Sequence, residues 1–347
     1  MYNPTYENVH NHFKLNGFHL NKEDLCRVAY SFIKEGDDFE KPVGDFLLDW
    51  FDSKLHIEIR TSGSTGTPKI IQVNKQSMVN SALATGNFFD LHSGDRALQC
   101  LPVKYVAGKM MLIRAIILGL DLDYVAPSSH PMKGMIDKYD FVAMVPLQAQ
   151  NSIKELQNVK KLIVGGARIS ASLEKQLIKL PTEVYETYGM TETITHIAAK
   201  RVGEKMFTVL PNVSISNDER DCLVIHAPNI ISEDTVITND LVELVNEKQF
   251  KFLGRIDNII NSGGVKIIPE QVEQKLAEKI NGRFFITSKE DLDLGEKVVL
   301  VLEGEVFEID KSIFNSLDKY EHPKEILFIS KFKETENGKV LRKESLK

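Results

Sequence analysis

Apolar residues recur along this chain in two alternating rhythms. From residue 22 to 35, Leu25, Val28, Ala29, Phe32 and Ile33 fall on one helical face, with Asn21 placed to cap the start and Gly36 to follow the end. A second short helix carrying Phe46, Leu47, Trp50 and Phe51 is expected next. Leu55, Ile57 and Ile59 then alternate with polar neighbours, the period of a strand. Strand-like runs (IIQV, RALQC, LDYVA, FVAMV, KLIVGG, EVYETYG) go on to alternate with helical stretches over 74–88, 108–119, 146–157 and 170–179. That alternation predicts an α/β architecture of helix-covered sheets. From 206 to 253 short β runs such as CLVIHAP and ELVNEKQFKFLG replace the helical period, which predicts a β-rich subdomain. Beyond that the chain turns rich in Lys and Glu, with a helix expected to begin at Pro269 and a hairpin through KVVLVLEG, so a separate small α+β domain is expected. The division predicted is residues 1–253 and 254–347.

Composition narrows the partners. Hydrophobic residues make up 42% of the 347 and charged residues 27%, enough for a sizeable core and no case for disorder. Lys and Arg total 43 against 49 acidic residues, and no long basic run is present to track a nucleic acid backbone. Cys26, Cys100 and Cys222 lack metal-ligand spacing and suit a reducing compartment. The first residues do not read as a signal peptide, and the longest apolar run, KMMLIRAIILGL, is interrupted by Arg114 and too short for a membrane span. A cytoplasmic location is the default expectation.

Three segments carry chemistry. RTSGSTGTPK, residues 60–69, lies between two strand signals and is therefore a loop; its glycines admit a ligand to the backbone, its hydroxyls can donate to phosphate oxygens, and Lys69 adds a positive charge. A solvated loop is the alternative from composition alone. It is not the familiar P-loop, because Thr67 and Pro68 separate Gly66 from the lysine and a strand follows instead of a helix. VYETYGMTETITH, residues 184–196, brings Tyr188, Thr191 and Glu192 together at a strand end, where ligands bind in α/β sheets. An aromatic face there can stack on a base and a carboxylate can hold Mg²⁺ against phosphates, although a buried tyrosine and a surface glutamate fit the same letters. In LGRIDNIINSGGVKIIPEQVE, Gly254, Arg255 and Asp257 mark the expected domain boundary, and Gly263–Gly264 is either a close-approach site or a turn.

Taken in order, these segments resemble the adenylate-forming enzymes, which include acyl-CoA synthetases, adenylation domains and beetle luciferases, over residues 58–342. The resemblance implies that a carboxylate attacks the α-phosphate of MgATP, giving an acyl-adenylate and pyrophosphate, after which a thiol displaces AMP. It implies that Thr61, Ser62, Gly63, Ser64, Thr65, Gly66, Thr67 and Lys69 hold the β- and γ-phosphates. Tyr188 and Gly189 would pack on adenine, Thr191 would touch the α-phosphate and Glu192 would ligate the metal. Gly165, Gly166 and Ala167 would form the adenine-side loop, with Asp240 and Arg255 on the ribose hydroxyls. Lys339, in ENGKVLR, would bridge carboxylate and α-phosphate. Asp257 would be the hinge of a mobile C-terminal domain whose rotation presents Gly263 and Gly264 to coenzyme A. The implied partners are a small carboxylic acid, ATP with Mg²⁺, and coenzyme A.

The chain also departs from that pattern. Fewer residues precede the phosphate loop than in most members, which predicts a reduced N-terminal region. Tyr105 stands where many members carry histidine, and Asn239 replaces the glycine common before the ribose aspartate. The compact length, LPVKYVAGKMM and YGMTETITHIA are most similar to the bacterial o-succinylbenzoate:CoA ligases of menaquinone biosynthesis. Such a substrate carries a second carboxylate, and Lys109, Arg114, Arg168 and His196, with Tyr105 as a gate, are the candidates to meet it. A stand-alone enzyme loading an aryl or amino acid onto a carrier protein, and a non-catalytic nucleotide- or acyl-binding relative, are the alternatives.

Overall fold

In the computed structural model, residues 4–59, 70–231, 233–334 and 340–346 are described, together with the backbone of Arg60. The chain divides into two compact units, one of Met1–Ile169, Leu173–Ser214 and Ile225–Val236, the other of Ser170–Ser172, Ile215–Val224 and Ile237–Lys347. The fold is mixed α/β, as the two rhythms predict.

In the first unit one sheet runs in the spatial order Phe207–Val209, His196–Arg201, Glu183–Gly189, Val159–Val164, Tyr139–Met144, Arg96–Gln99, Asp121–Tyr124, Lys14–Leu15 and Phe18–His19. Neighbours from Glu183–Gly189 through Lys14–Leu15 are parallel, and the flanking pairs at either end are antiparallel. Parallel strands need helical crossovers and burial on both faces, which is why FVAMV and KLIVGG are nearly continuous in apolar residues. Leu98, Val142, Leu162, Val164 and Val184 from the strands pack with Leu156, Leu173 and Leu177 in one buried cluster.

Two of the helices begin at asparagine caps. Lys22–Glu35 starts at Asn21, whose side chain accepts from the Asp24 amide while the Asp24 carboxylate accepts from the Asn21 amide. Lys75–Phe88 starts at Asn74, which accepts from the Gln76 and Ser77 amides. The helix expected over 146–157 stops at Asn151, and a separate 3₁₀ turn spans Glu155–Asn158. Asn151 and Ser152 are poor helix formers because their side chains compete for backbone groups, and the Asn151 side-chain amide donates to the Ser129 carbonyl instead. Leu55 precedes the strand His56–Arg60 and is exposed, whereas Ile57 and Ile59 are buried.

The strand Thr235–Asn246, which belongs to the second unit from Ile237 onward, pairs antiparallel with Gln249–Arg255, with Asp240 directly opposite Arg255. Gly295–Glu303 pairs antiparallel with Phe284–Asp291 and parallel with Glu325–Ile329, and the helix Pro269–Leu276 begins at the expected proline. Ile260, Ile267, Val272, Leu276, Leu300 and Phe314 anchor its core. Gly263 and Gly264 join Ile260–Ser262 to Val265–Ile267 with φ of +59° and +80°, the two-residue hairpin turn that demands positive φ at both positions. Among the described residues no helix is long and apolar enough to cross a membrane.

Candidate active site

The carboxyl ends of adjacent parallel strands converge on one loop cluster in the first unit. After Val164 the chain enters Gly165–Arg168, tied by the Gly165 amide to the Met144 carbonyl at 3.1 Å. A Cβ at Gly165 would lie 2.5 Å from Thr187 Oγ1, and that hydroxyl donates to the Val164 carbonyl at 3.2 Å. Gly166, at φ +86°, and Arg168 are exposed or partly so, while Ala167 lies between them in the same loop. On the next strand Tyr188 is half-buried, its ring 5.8 Å from that of Phe207.

Gly189 ends that strand against His196, and any Cβ there would press into the Thr195 carbonyl. The intervening turn is braced from within. Thr193 Oγ1 accepts from the Met190 amide at 3.0 Å, and the Thr195 amide donates to the Thr193 carbonyl at 2.7 Å across Ile194. Ile194 is buried at φ +66° and ψ −55°, the strained γ-turn region that a β-branched residue rarely enters. Because Thr193 makes the internal bonds, Thr191 and Glu192 have no side-chain hydrogen bond among the described residues, and Glu192 is exposed.

Behind the turn lies a buried cation with polar neighbours. Arg114, on the helix Val106–Leu118, is 2% exposed; its Nη2 donates to Thr195 Oγ1 at 3.2 Å and sits 3.4 Å from His196 Nδ1. His196 Nε2 lies 3.3 Å from Thr85 Oγ1. Among the described residues no carboxylate pairs with Arg114, and its Nε has no partner. Burial pushes the guanidinium down to about 9, which still leaves it charged at neutral pH. Burial first, and Arg114 second, hold His196 well below the ordinary histidine value, so its ring is neutral.

The other acid-side candidates point elsewhere. The Lys109 ammonium lies over the Phe46 ring at 4.6 Å, with Asp49 and Asp45 as its charged neighbours. Tyr105 is the residue before the Val106–Leu118 helix and takes the Lys104 ammonium over its ring at 4.8 Å. Thr195 and Thr85 are not legible in the sequence as neighbours of this cluster; the lone arginine inside KMMLIRAIILGL is the one available signal.

In the second unit Asp240 is buried and meets Arg255 Nη1 at 3.2 Å, while Arg255 Nη2 donates to Asp257 at 2.9 Å. The phosphate-loop residues Thr61, Ser62, Gly63, Ser64, Thr65, Gly66, Thr67 and Lys69, and Lys339, lie outside the described residues.

Residues 58–218 match the family described as AMP-binding enzyme. A solved structure of an acyl-CoA synthetase (AMP-forming)/AMP-acid ligase II-like protein from Dyadobacter fermentans is 35% identical, covers 92% of this chain and 97% of its own, and superposes with a TM-score of 0.63. The chain belongs to the AMP-binding enzyme family. Curated family members similar to it include the 2-succinylbenzoate–CoA ligases of Haemophilus influenzae, 26% identical over 70% of this chain, and of Escherichia coli, 26% identical over 81%. The chain spans 58% and 66% of their lengths. The fold is also that of the o-succinylbenzoate coenzyme A synthetase of Bacillus subtilis solved with ATP and magnesium ion, which is 19% identical, covers 94% of this chain and 82% of its own, and has a TM-score of 0.73.

Proposed function

We propose that this protein is an ATP-dependent acid:CoA ligase working through an acyl-adenylate, and that its acid is o-succinylbenzoate, giving o-succinylbenzoyl-CoA. The observation that carries the substrate reading is Arg114. A buried guanidinium with no carboxylate partner among the described residues is costly in the free protein, and an acid with a second carboxylate supplies the missing counter-charge. Thr195 Oγ1 and the neutral His196 ring border the same guanidinium, so a carboxylate arriving there meets a hydroxyl and an imidazole beside the cation.

The turn and loop fit the nucleotide such a reaction needs. The Gly165–Gly166 backbone carries no side chain to obstruct a base, and Tyr188, on the neighbouring strand, offers a half-buried ring. Glu192 is a single exposed carboxylate, the donor that Mg²⁺ takes together with substrate phosphates. When bound, the metal neutralises phosphate charge. The chain's own part is positioning: Thr191 at the α-phosphate, Asp240 and Arg255 on the ribose hydroxyls, the 61–69 loop on the leaving pyrophosphate and Lys339 between carboxylate and α-phosphate. Residues 1–253 and 254–347 are the two functional bodies of this reading, with Asp257 as pivot and Gly263–Gly264 toward coenzyme A.

Pyrophosphate release with ATP, coenzyme A and a panel of o-succinylbenzoate, aryl monoacids and short fatty acids tests the proposal. Release and a thioester of matching mass are expected with o-succinylbenzoate. Arg114→Leu should raise its KM by about thirtyfold or more, the effect of stripping one partner from a buried charge pair, and leave the KM for ATP unchanged. Equal use of benzoate and o-succinylbenzoate, or no release with any acid, would sink it.

A further inference from the structure

In the second unit, Asn239 joins Arg220 to Asp257 through one amide. Its Nδ2 donates to Asp257 Oδ1 at 3.1 Å and reaches Oδ2 at 3.3 Å, while its Oδ1 accepts from Arg220 Nη1 at 3.2 Å. This orientation follows from the neighbours, because the flipped amide would set a carbonyl against a carboxylate and an NH₂ against a guanidinium. Arg220 is itself fixed. Its Nε donates to Asp218 Oδ2 at 2.8 Å and its Nη2 to the Thr238 carbonyl at 3.1 Å. On the far side Asp257 receives Arg255 Nη2, whose other arm faces Asp240. The result is a continuous chain of Asp218, Arg220, Asn239, Asp257, Arg255 and Asp240.

The last three members of this chain differ in burial. The side chains of Asp257 and Arg255 are 51% and 38% exposed, and that of Asp240 8%. An exposed ion pair alone holds a long side chain poorly. Here the guanidinium has two carboxylates to choose between, and Asn239 fixes where the second one stands. Glycine, the residue common at this position in the resembling enzymes, has no amide to do so.

We propose that Asn239 is a positioning residue: through Asp257 it pins Arg255 beside Asp240 and holds the turn Ile256–Asn258, so that the Asp240–Arg255 pair is preset for the two hydroxyls of a ribose. This rests on the adenylate-forming reading of the site. A preset pair acts on nucleotide affinity, and the pinned turn carries its own reporter, the Ile259 amide bonded to the Ile256 carbonyl at 3.2 Å.

Asn239→Gly, Asn239→Asp and the exchange pair Asn239→Asp with Asp257→Asn test this in the full chain, with AMP as the probe. Asn239→Gly should raise the AMP dissociation constant and the Ile259 hydrogen-exchange rate by about fivefold each, the weight of one ordinary hydrogen bond. Asn239→Asp, nearly identical in shape, should do more, because it sets two carboxylates face to face. The exchange pair should bring the Ile259 exchange rate back toward the unaltered protein, since the carboxylate now at position 239 can accept from the amide now at position 257 and pair with Arg220, but should recover AMP affinity only in part, because Arg255 then meets a neutral amide oxygen in place of the Asp257 carboxylate. With saturating ATP, kcat for pyrophosphate release by Asn239→Gly should stay within about twofold while KM for ATP rises, the pattern of lost ground-state binding. AMP binding that Arg255→Ala abolishes but both Asn239 single variants leave unchanged would overturn this inference alone. An unaltered protein that binds no AMP would overturn the adenylate-forming reading and this inference with it.

Discussion

Arg114 shows how much a single residue can carry. Its charge survives burial because Thr195 and the neutral His196 ring take part of its hydrogen bonding, yet no carboxylate balances it among the described residues. Burial first, and Arg114 second, disfavour a proton on His196. With its folded value held well below 6.5, the unfolded chain takes up a proton near pH 6.5 that the fold does not accept, so stability falls as pH drops through that region. His196→Gln should therefore flatten the fall in urea midpoint between about pH 6.5 and 5 relative to the unaltered protein; an unchanged slope would mean the ring titrates normally in the fold. Residue type alone suggests Lys109 as readily as Arg114 for the acid. Packing separates them, since Lys109 is taken up by Phe46 and Arg114 is left without a counter-ion among the described residues.

Elements decide which of these residues can act together. The turn from Met190 to Thr195 gives its internal hydrogen bonds to Thr193 and its strain to Ile194, and so leaves Thr191 and Glu192 open on one side while presenting Thr195 to Arg114 on the other. This depends on Gly189, where a side chain would collide with the Thr195 carbonyl across the antiparallel pair. Gly189→Ala should cost about 2–4 kcal/mol of stability by the backbone shift it forces, seen as a lower denaturant midpoint. Gly264→Ala, where a Cβ meets nothing within 4 Å and the strain is conformational, should cost only about 1 kcal/mol. Equal losses at both positions would refute the packing argument. Elements with strong local signals are legible from the chain alone, as with Asn21 capping Lys22–Glu35 and Pro269 opening its helix. The break after Asn151 is not, because helical periodicity runs on through a segment whose bonds are settled by Ser129 and the approaching strand.

At the scale of the molecule, the two half-reactions proposed here divide the work between residues far apart in sequence. Lys339→Ala should largely abolish adenylate formation and spare thioester formation from supplied acyl-adenylate, measured as two separate rates; equal loss of both would refute its role. The sequence by itself determined the alternation of strands and helices, the strand-end placement of Tyr188 and Glu192, and the family, because periodicity, caps and contiguous motifs are local properties of the chain. Only the tertiary structure decided that Arg114 meets Thr195 and His196, that Asn239 meets Asp257, and that Ile194 is held in a strained turn. The pairings join residues 18 to 82 positions apart, where desolvation and hydrogen bonding act through space and leave no trace in spacing.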